Sequence, residues 1–231
     1  MSPRFDEPTF TVPAVEAFGG AEPLIADHPL PALVDPEPQP VSARIGDELV
    51  LVRHRRIRLL SNYWHAGWAH AVTDTFLRLE VCQRLYSVAD SLPPGWGLAV
   101  FDGWRPLELQ QEMYTASLAM PDVEPGFLAD PSLDPETPPP HLTGGAVDLT
   151  LTWDGVPLAP GTGFDDTTSL AFAAALEDQA GPDRHIRRAL FWAMEAQGFV
   201  IYPGEWWHFE YGTRRWAAVK GETPFYGPIA P

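Results

Sequence analysis

Cysteine is all but missing from this 231-residue chain. Cys82 stands alone, so no disulfide can close within the chain and no cluster of thiolates can hold a metal. Basic charge is also scarce: 15 Lys and Arg, with Lys220 the one lysine, face 31 acidic residues for a formal charge of -16. Nucleic acid and anionic membrane surfaces both need basic patches, so neither is expected as a partner. The sequence shows no basic region followed by an apolar run near Met1, and no apolar stretch of membrane-spanning length, so the expected location is the cytoplasm. Hydrophobic residues nevertheless make up 45%, enough for one sizeable domain with its own core.

Proline is what the N-terminus has in place of periodicity. Residues 1–44 carry Pro3, Pro8, Pro13, Pro23, Pro29, Pro31, Pro36, Pro38 and Pro40, a density that forbids a helix or a central strand. They read as an extended arm that wraps a domain spanning 45–231, or as a partly disordered one. Within that domain Glu48–Val52 and Arg56–Leu60 read as strands, and Asp74–Ala89 as a helix capped by Thr73 or Asp74. Leu98–Phe101 reads as a short buried strand, followed by a helix over 107–118 with Pro106 in its first turn. A long acidic, proline-rich loop over 121–140 leads to a central strand, Val147–Trp153, and a hairpin turn at Asp154-Gly155. Helices near 168–179 and 184–197, the second stopped by Gly198, precede a C-terminal hairpin through Pro203-Gly204. This order predicts an α+β fold, an antiparallel sheet with helices on its other face.

The chemistry concentrates in His141-Leu-Thr-Gly-Gly-Ala-Val-Asp148. An imidazole and a carboxylate stand seven residues apart, and Gly144 and Gly145 let the backbone fold back until both reach one point. Both groups suit zinc, but two ligands do not make a site. The third is expected to be His208, in Glu205-Trp206-Trp207-His208. His, Asp and His with a fourth position open is the pattern of a catalytic zinc, and Glu205 is a spare carboxylate placed to act as general base. Arg105 ends a buried strand, where it serves either a developing oxyanion or only a structural pair with Asp102. Strand alternation sends Trp206 to the site wall and Trp207 to the core. The remaining histidines, His28, His54, His65, His70 and His185, lack partners at ligand spacing.

His141-x-x-Gly-x-Ala-x-Asp148 followed downstream by Glu205-x-x-His208 resembles the zinc peptidases of the D-Ala-D-Ala dipeptidase (VanX) type, family M15. That family also holds D,D-carboxypeptidases and the hedgehog signalling domain. The resemblance covers roughly residues 60–212 and continues through Phe101-Asp-Gly-Trp-Arg-Pro106, Gly161-Thr-Gly-Phe-Asp165 and Gly198-Phe-x-x-Tyr202. It implies a hedgehog/D,D-peptidase-like sheet carrying one zinc per chain on His141, Asp148 and His208, with Arg105 stabilising the transition state. It also implies that Asp165, or Asp166 beside it, grips a substrate's α-ammonium, although an acid there equally suits a helix N-terminus. One departure is plain: the family's Ser two residues before the first metal His is Pro139 here, which offers neither a hydroxyl nor an N–H. The implied activity is hydrolysis of a small dipeptide, most simply D-alanyl-D-alanine, in glycopeptide resistance or wall recycling. The alternatives are a D,D-carboxypeptidase or murein endopeptidase, and a non-catalytic zinc-bearing binding domain.

Overall fold

A computed structural model describes residues 10–19, 28–42, 46–120 and 128–231. In chain order these form β1 (Val12–Pro13), α1 (Ala14–Ala17), β2 (Leu49–Leu51), β3 (Ile57–Leu59), α2 (Asn62–Ala66), β4 (Phe76–Arg78), α3 (Leu79–Ser91) and β5 (Trp96–Asp102). Then come α4 (Leu107–Ser117), β6 (Ala146–Trp153), β7 (Val156–Ala159), α5 (Pro182–Glu195), β8 (Val200–Ile201), β9 (His208–Glu210) and α6 (Arg214–Lys220). Single 3-10 turns stand at His141–Thr143 and Ser169–Ala171. The α+β class is the one expected. No helix among the described residues is long and apolar enough to cross a membrane.

β6 is the strand around which the sheet is built. Along one edge it pairs antiparallel with β5; on the other, its first half pairs with β9 and its last residues with β7. Pairing along both edges makes β6 an interior strand, and packing on both of its faces leaves an unbroken run of buried residues from Ala146 to Thr152. Two of the outer pairings, β1 with β7 and β3 with β5, are parallel, while β8 pairs antiparallel with β9. The β6–β7 hairpin turns at Asp154 (φ 47°) and Gly155 (φ 78°), as the Asp-Gly pair predicts. Leu98 and Val100 of β5 and Leu149 and Leu151 of β6 join Leu85 and Val88 of α3 and Ile186, Leu190 and Met194 of α5 in one core cluster. Each such side chain contributes ~1.5–3 kcal/mol by leaving water.

Two local expectations fail because long-range contacts override them. The helix expected from Asp74 begins only at Leu79, because Phe76–Arg78 pairs antiparallel with Leu49–Leu51 as β4. Arg78 fixes this junction: its buried guanidinium donates to the carbonyls of Asp47, Thr143 (2.7 Å) and Gly227 (2.8 Å). The helix expected near 168–179 is a 3-10 turn followed by further turns. Arg187 claims its carbonyls, donating to Leu170 and Phe172 at 2.8 Å each, and the amide of Ala173 donates to the Pro203 carbonyl at 3.0 Å. Pro106 is the N-cap of α4 and lies outside its first turn. No expectation covered α6, whose N-cap Thr213 accepts from the Trp216 amide.

Where it is described, the proline-rich segment lies against the rest of the chain. Against the expectation from its proline density it holds the one-turn helix α1, because Pro13 only caps that turn and no proline falls within it. Val12–Pro13 adds a strand beside Leu158–Ala159, and residues 28–42 run without regular structure. Arg214 donates to the carbonyls of Gln39 (2.9 Å) and Pro38 (3.0 Å), and Trp192 to that of His28 (3.0 Å). Part of the 121–140 loop, residues 121–127, lies outside the described residues, as do 1–9, 20–27 and 43–45.

Candidate active site

Sheet register assembles the cluster. Asp148 of β6 faces His208 of β9 on one side and Asp102 of β5 on the other, and residues directly opposite in a sheet project from the same face. His141 comes from the turn just before β6. Gly144 takes φ +70°, and at Gly145 a Cβ would stand 2.6 Å from the Tyr211 carbonyl oxygen, so the backbone passes where no side chain fits. The backbone thus folds back at the Gly-Gly pair, as expected, and brings His141 Nε2 to within 3.3 Å of Asp148 Oδ2.

His141 Nε2, Asp148 and His208 Nδ1 form the group of possible metal ligands among the described residues, their donor atoms all within 4.8 Å of one another. His141 Nε2 lies 3.3 Å from Asp148 Oδ2 and 3.2 Å from His208 Nδ1, and His208 Nδ1 lies 2.9 Å from Asp148 Oδ1. Tetrahedral zinc with bonds of ~2.0–2.2 Å sets its ligand atoms roughly 3.3–3.5 Å apart, so the three donors fit that ion with little movement. The outward nitrogens are also engaged: His141 Nδ1 with the Gly103 carbonyl at 2.7 Å, His208 Nε2 with Glu210 Oε1 at 3.0 Å. Such contacts fix which nitrogen faces the cluster. Burial opposes charge on His208, yet Asp148 and Glu210 on either side lift it to about 10 without a cation; a dication would take the place of that proton. Burial likewise opposes ionisation of Asp148, but the two imidazoles hold it well below the usual carboxylate range.

Around the cluster lies a cavity of about 140 Å³, lined by Tyr63, Arg105, Gln110, Leu128, Ala129, Pro140, Asp165, Tyr202, Glu205, Trp207 and Arg215 besides the three donors. That is well below the ~300–1,000 Å³ of sites for drug-sized ligands, so it suits a small molecule. Glu205 Oε2 approaches His208 Nδ1 to 3.9 Å, and burial raises its carboxyl to about 7, partly offset by His208. Arg105 is held by Asp102 (2.9 Å), Gln110 (2.8 Å) and the Tyr63 hydroxyl (3.3 Å), with Asp148 Oδ2 3.7 Å from Nη2. It thus joins the Asp102 pair and also faces the cavity.

Asp165 and Asp166 part company. Asp166 accepts from the amide and hydroxyl of Thr168, a local turn contact, whereas Asp165 sits at φ +58°, buried, and lines the cavity. Its Oδ2 has no hydrogen-bond partner among the described residues. Burial, reinforced by Asp148 and Glu205, raises its carboxyl well above the ordinary value.

The tryptophans exchange places relative to expectation. β9 begins only at His208, so Trp206 and Trp207 lie in a turn and do not alternate as strand residues. Trp207 lines the cavity, while Trp206 packs on Phe101 and donates to Thr162 Oγ1 at 2.8 Å. Pro139 lines an adjoining groove of about 450 Å³; Pro140 lines both. His54 pairs with Asp90 (3.4 Å) and His70 with Glu112 (2.9 Å), and neither lines the cavity. Tyr63, Glu210 and Arg215 escaped the sequence reading. Of these only Glu210, two residues beyond His208, carried a legible signal.

A family model described as D-Ala-D-Ala dipeptidase, of the M15 peptidases, matches residues 72–221. A D-alanyl-D-alanine dipeptidase of Synechocystis sp. is 37% identical over 100 residues, which is 38% of this chain and 40% of that protein, so the matched stretch spans under half of that relative. Three solved structures are similar at TM-scores of 0.43, 0.42 and 0.38: the LdcB LD-carboxypeptidase, the D,D-pentapeptidase VanY in complex with Zn(II), and the D,D-dipeptidase VanXYg in complex with a D-Ala-D-Ala phosphinate analog. Their identities are 16%, 21% and 20%. They cover 78%, 81% and 74% of this chain and 73%, 90% and 61% of their own.

Proposed function

The chain belongs to the D-Ala-D-Ala dipeptidase family of M15 peptidases, and on that premise we propose that it hydrolyses small dipeptides with a free amine, D-alanyl-D-alanine foremost. The observation that carries this reading is the small cavity in which a His-Asp-His cluster meets a carboxyl at about 7, a buried guanidinium and a buried carboxyl with one unsatisfied oxygen. One zinc held by His141, Asp148 and His208 would supply a water of pKa near ~7 and a Lewis acid for the carbonyl.

The chain's own residues do the rest. Asp165 takes the substrate's α-ammonium, which satisfies Oδ2 and offsets the carboxylate's burial. Arg105, kept charged by Tyr63, Asp102 and Asp148, directs its fork of donors at the oxygen of the scissile carbonyl as charge grows there. Glu205 accepts the proton of the attacking water and returns it to the leaving amine. Trp207 and Tyr202 wall the cavity and exclude bulk water. A purely structural metal site needs neither Glu205 nor Arg105, which weighs against a non-catalytic binding domain. We place the reaction in the cytoplasm, where a free dipeptide can be met before it enters wall material.

One observation favours a second reading. The groove beside the cavity shares Ala129, Pro140 and Arg215 with it, room that a longer chain could use, as in a D,D-carboxypeptidase or murein endopeptidase. A competition panel decides: D-Ala-D-Ala, its N-acetyl form, mixed-chirality dipeptides and a pentapeptide wall precursor. With Asp165 on the ammonium, acetylation costs a charge-assisted bond worth ~1.5–3 kcal/mol, roughly 10–150-fold in kcat/KM. Because Pro139 offers no donor, several free-amine dipeptides are expected to be cut. Comparable kcat/KM on the acetylated form or the pentapeptide would establish the carboxypeptidase reading instead.

A further inference from the structure

His208 is the donor with the most elaborate support, and that support leads away from the cavity into the proline-rich arm. Glu210 is 1% exposed and takes three donors: His208 Nε2 at 3.0 Å, Arg215 Nη1 at 2.8 Å and the Thr213 hydroxyl in a short contact. A carboxylate this deep is costly to bury unless each oxygen is engaged, and here His208 and Arg215 meet Oε1 while Thr213 meets Oε2. Arg215 is itself fixed. Its guanidinium lies 4.1 Å over the Tyr202 ring, and it grips Asp35 of the arm, Nε to Oδ1 at 2.8 Å and Nη2 to Oδ2 at 3.3 Å. The arm is pinned beside that point by Arg214, which holds the Pro38 and Gln39 carbonyls.

We infer that Glu210 is a positioning residue for His208 and that the arm completes the arrangement through Asp35 and Arg215. The inference rests on reading His208 as a metal donor. A carboxylate hydrogen-bonded to the outer nitrogen, Nε2, fixes the ring's orientation with Nδ1 aimed at Asp148 and His141, and makes Nδ1 the better donor once a metal has replaced its proton. Asp35 limits where Arg215 can swing, so Glu210 is held from two directions.

The test is zinc affinity, measured on the full chain by competition with a chromophoric chelator. E210Q keeps the size of the side chain but loses the charge and turns an amide toward Arg215 or Thr213. Its zinc Kd is expected to rise ~10–100-fold. D35N, at a partly exposed position, is expected to raise it about 2–5-fold, as befits one surface-facing ion pair. In zinc-loaded protein the His208 Nε2–H resonance should be present in the wild type and displaced in E210Q. A merely structural Glu210 would instead lower the melting temperature of the metal-free protein and leave Kd and resonance unmoved, which overturns the inference; unchanged affinity in D35N overturns the arm's share. If wild-type chain binds no stoichiometric zinc, the donor reading fails first, and the two failures are told apart.

Discussion

Glu205 is a carboxyl whose burial opposes the fold and whose raised pKa suits the role proposed for it. Burial lifts it to about 7 in the metal-free protein, against ~4.3 for an unfolded glutamate. A carboxyl raised on folding destabilises as pH climbs from the unfolded value through the folded one, and costs nothing below both. E205Q should therefore stabilise the metal-free protein by about 1–4 kcal/mol at pH 8 and hardly at all at pH 4, read from urea midpoints at the two pH values. In the proposed role of general base the same group must be ionised, so kcat/KM should fall on the acid side of about 7, and further down when a dication favours the carboxylate. E205Q should retain zinc while kcat drops ~10²-fold or more; an unchanged kcat reassigns the base. Arg105→Lys tests the opposite charge, since an ammonium has no planar fork, and should also lose most of kcat.

At the level of elements, the β6–β9 pairing carries the site, because its register sets Asp148 against His208. Gly145 lies at its entrance, its N–H donating to Thr143 Oγ1 (3.0 Å) and its carbonyl accepting from Tyr211 (2.8 Å). A methyl group there meets the Tyr211 oxygen, so G145A should cost ~1–3 kcal/mol, lowering Tm by about 2–12 °C by calorimetry, and should weaken zinc binding as His141 shifts. Arg187 does comparable work for the 168–173 turns, donating also to the Pro160 carbonyl at 2.9 Å. R187M strands three carbonyls at ~1–3 kcal/mol for each that stays dry. Amide exchange at Ala171 and Ala173 should accelerate well before that of β6; uniform protection would show that these turns need no such clamp.

The whole molecule is built to stand without the proposed metal. The core cluster runs from α3 through the sheet to α5, and a domain of this size buries enough surface to be stable on its own. Chelation should therefore abolish hydrolysis reversibly and lower Tm by only the binding term, roughly RT ln(1 + [Zn]/Kd), as calorimetry with and without chelator would register. Loss of the far-UV circular dichroism spectrum on chelation would refute that independence.

Local residue choice by itself determined a good deal. His141, Gly144, Gly145 and Asp148 form a self-contained turn-and-strand, Asp154-Gly155 can hardly do other than turn, and Glu205 precedes His208 at a spacing that one turn brings together. These features act over a few residues, where glycine freedom and strand alternation decide geometry. Tertiary structure alone decided the rest. Leu49–Leu51 draws Phe76–Arg78 out of a helical pattern into β4, and Arg187 unmakes a helix that propensity favours. The start of β9 at His208 exchanges the two tryptophans. Tyr63, Arg215 and Asp35 reach the site from 42, 5 and 180 residues away from the partners they bind, Arg105, Glu210 and Arg215. Periodicity cannot report such encounters, because they depend on sheet register and on which buried charge finds which donor once the chain has closed.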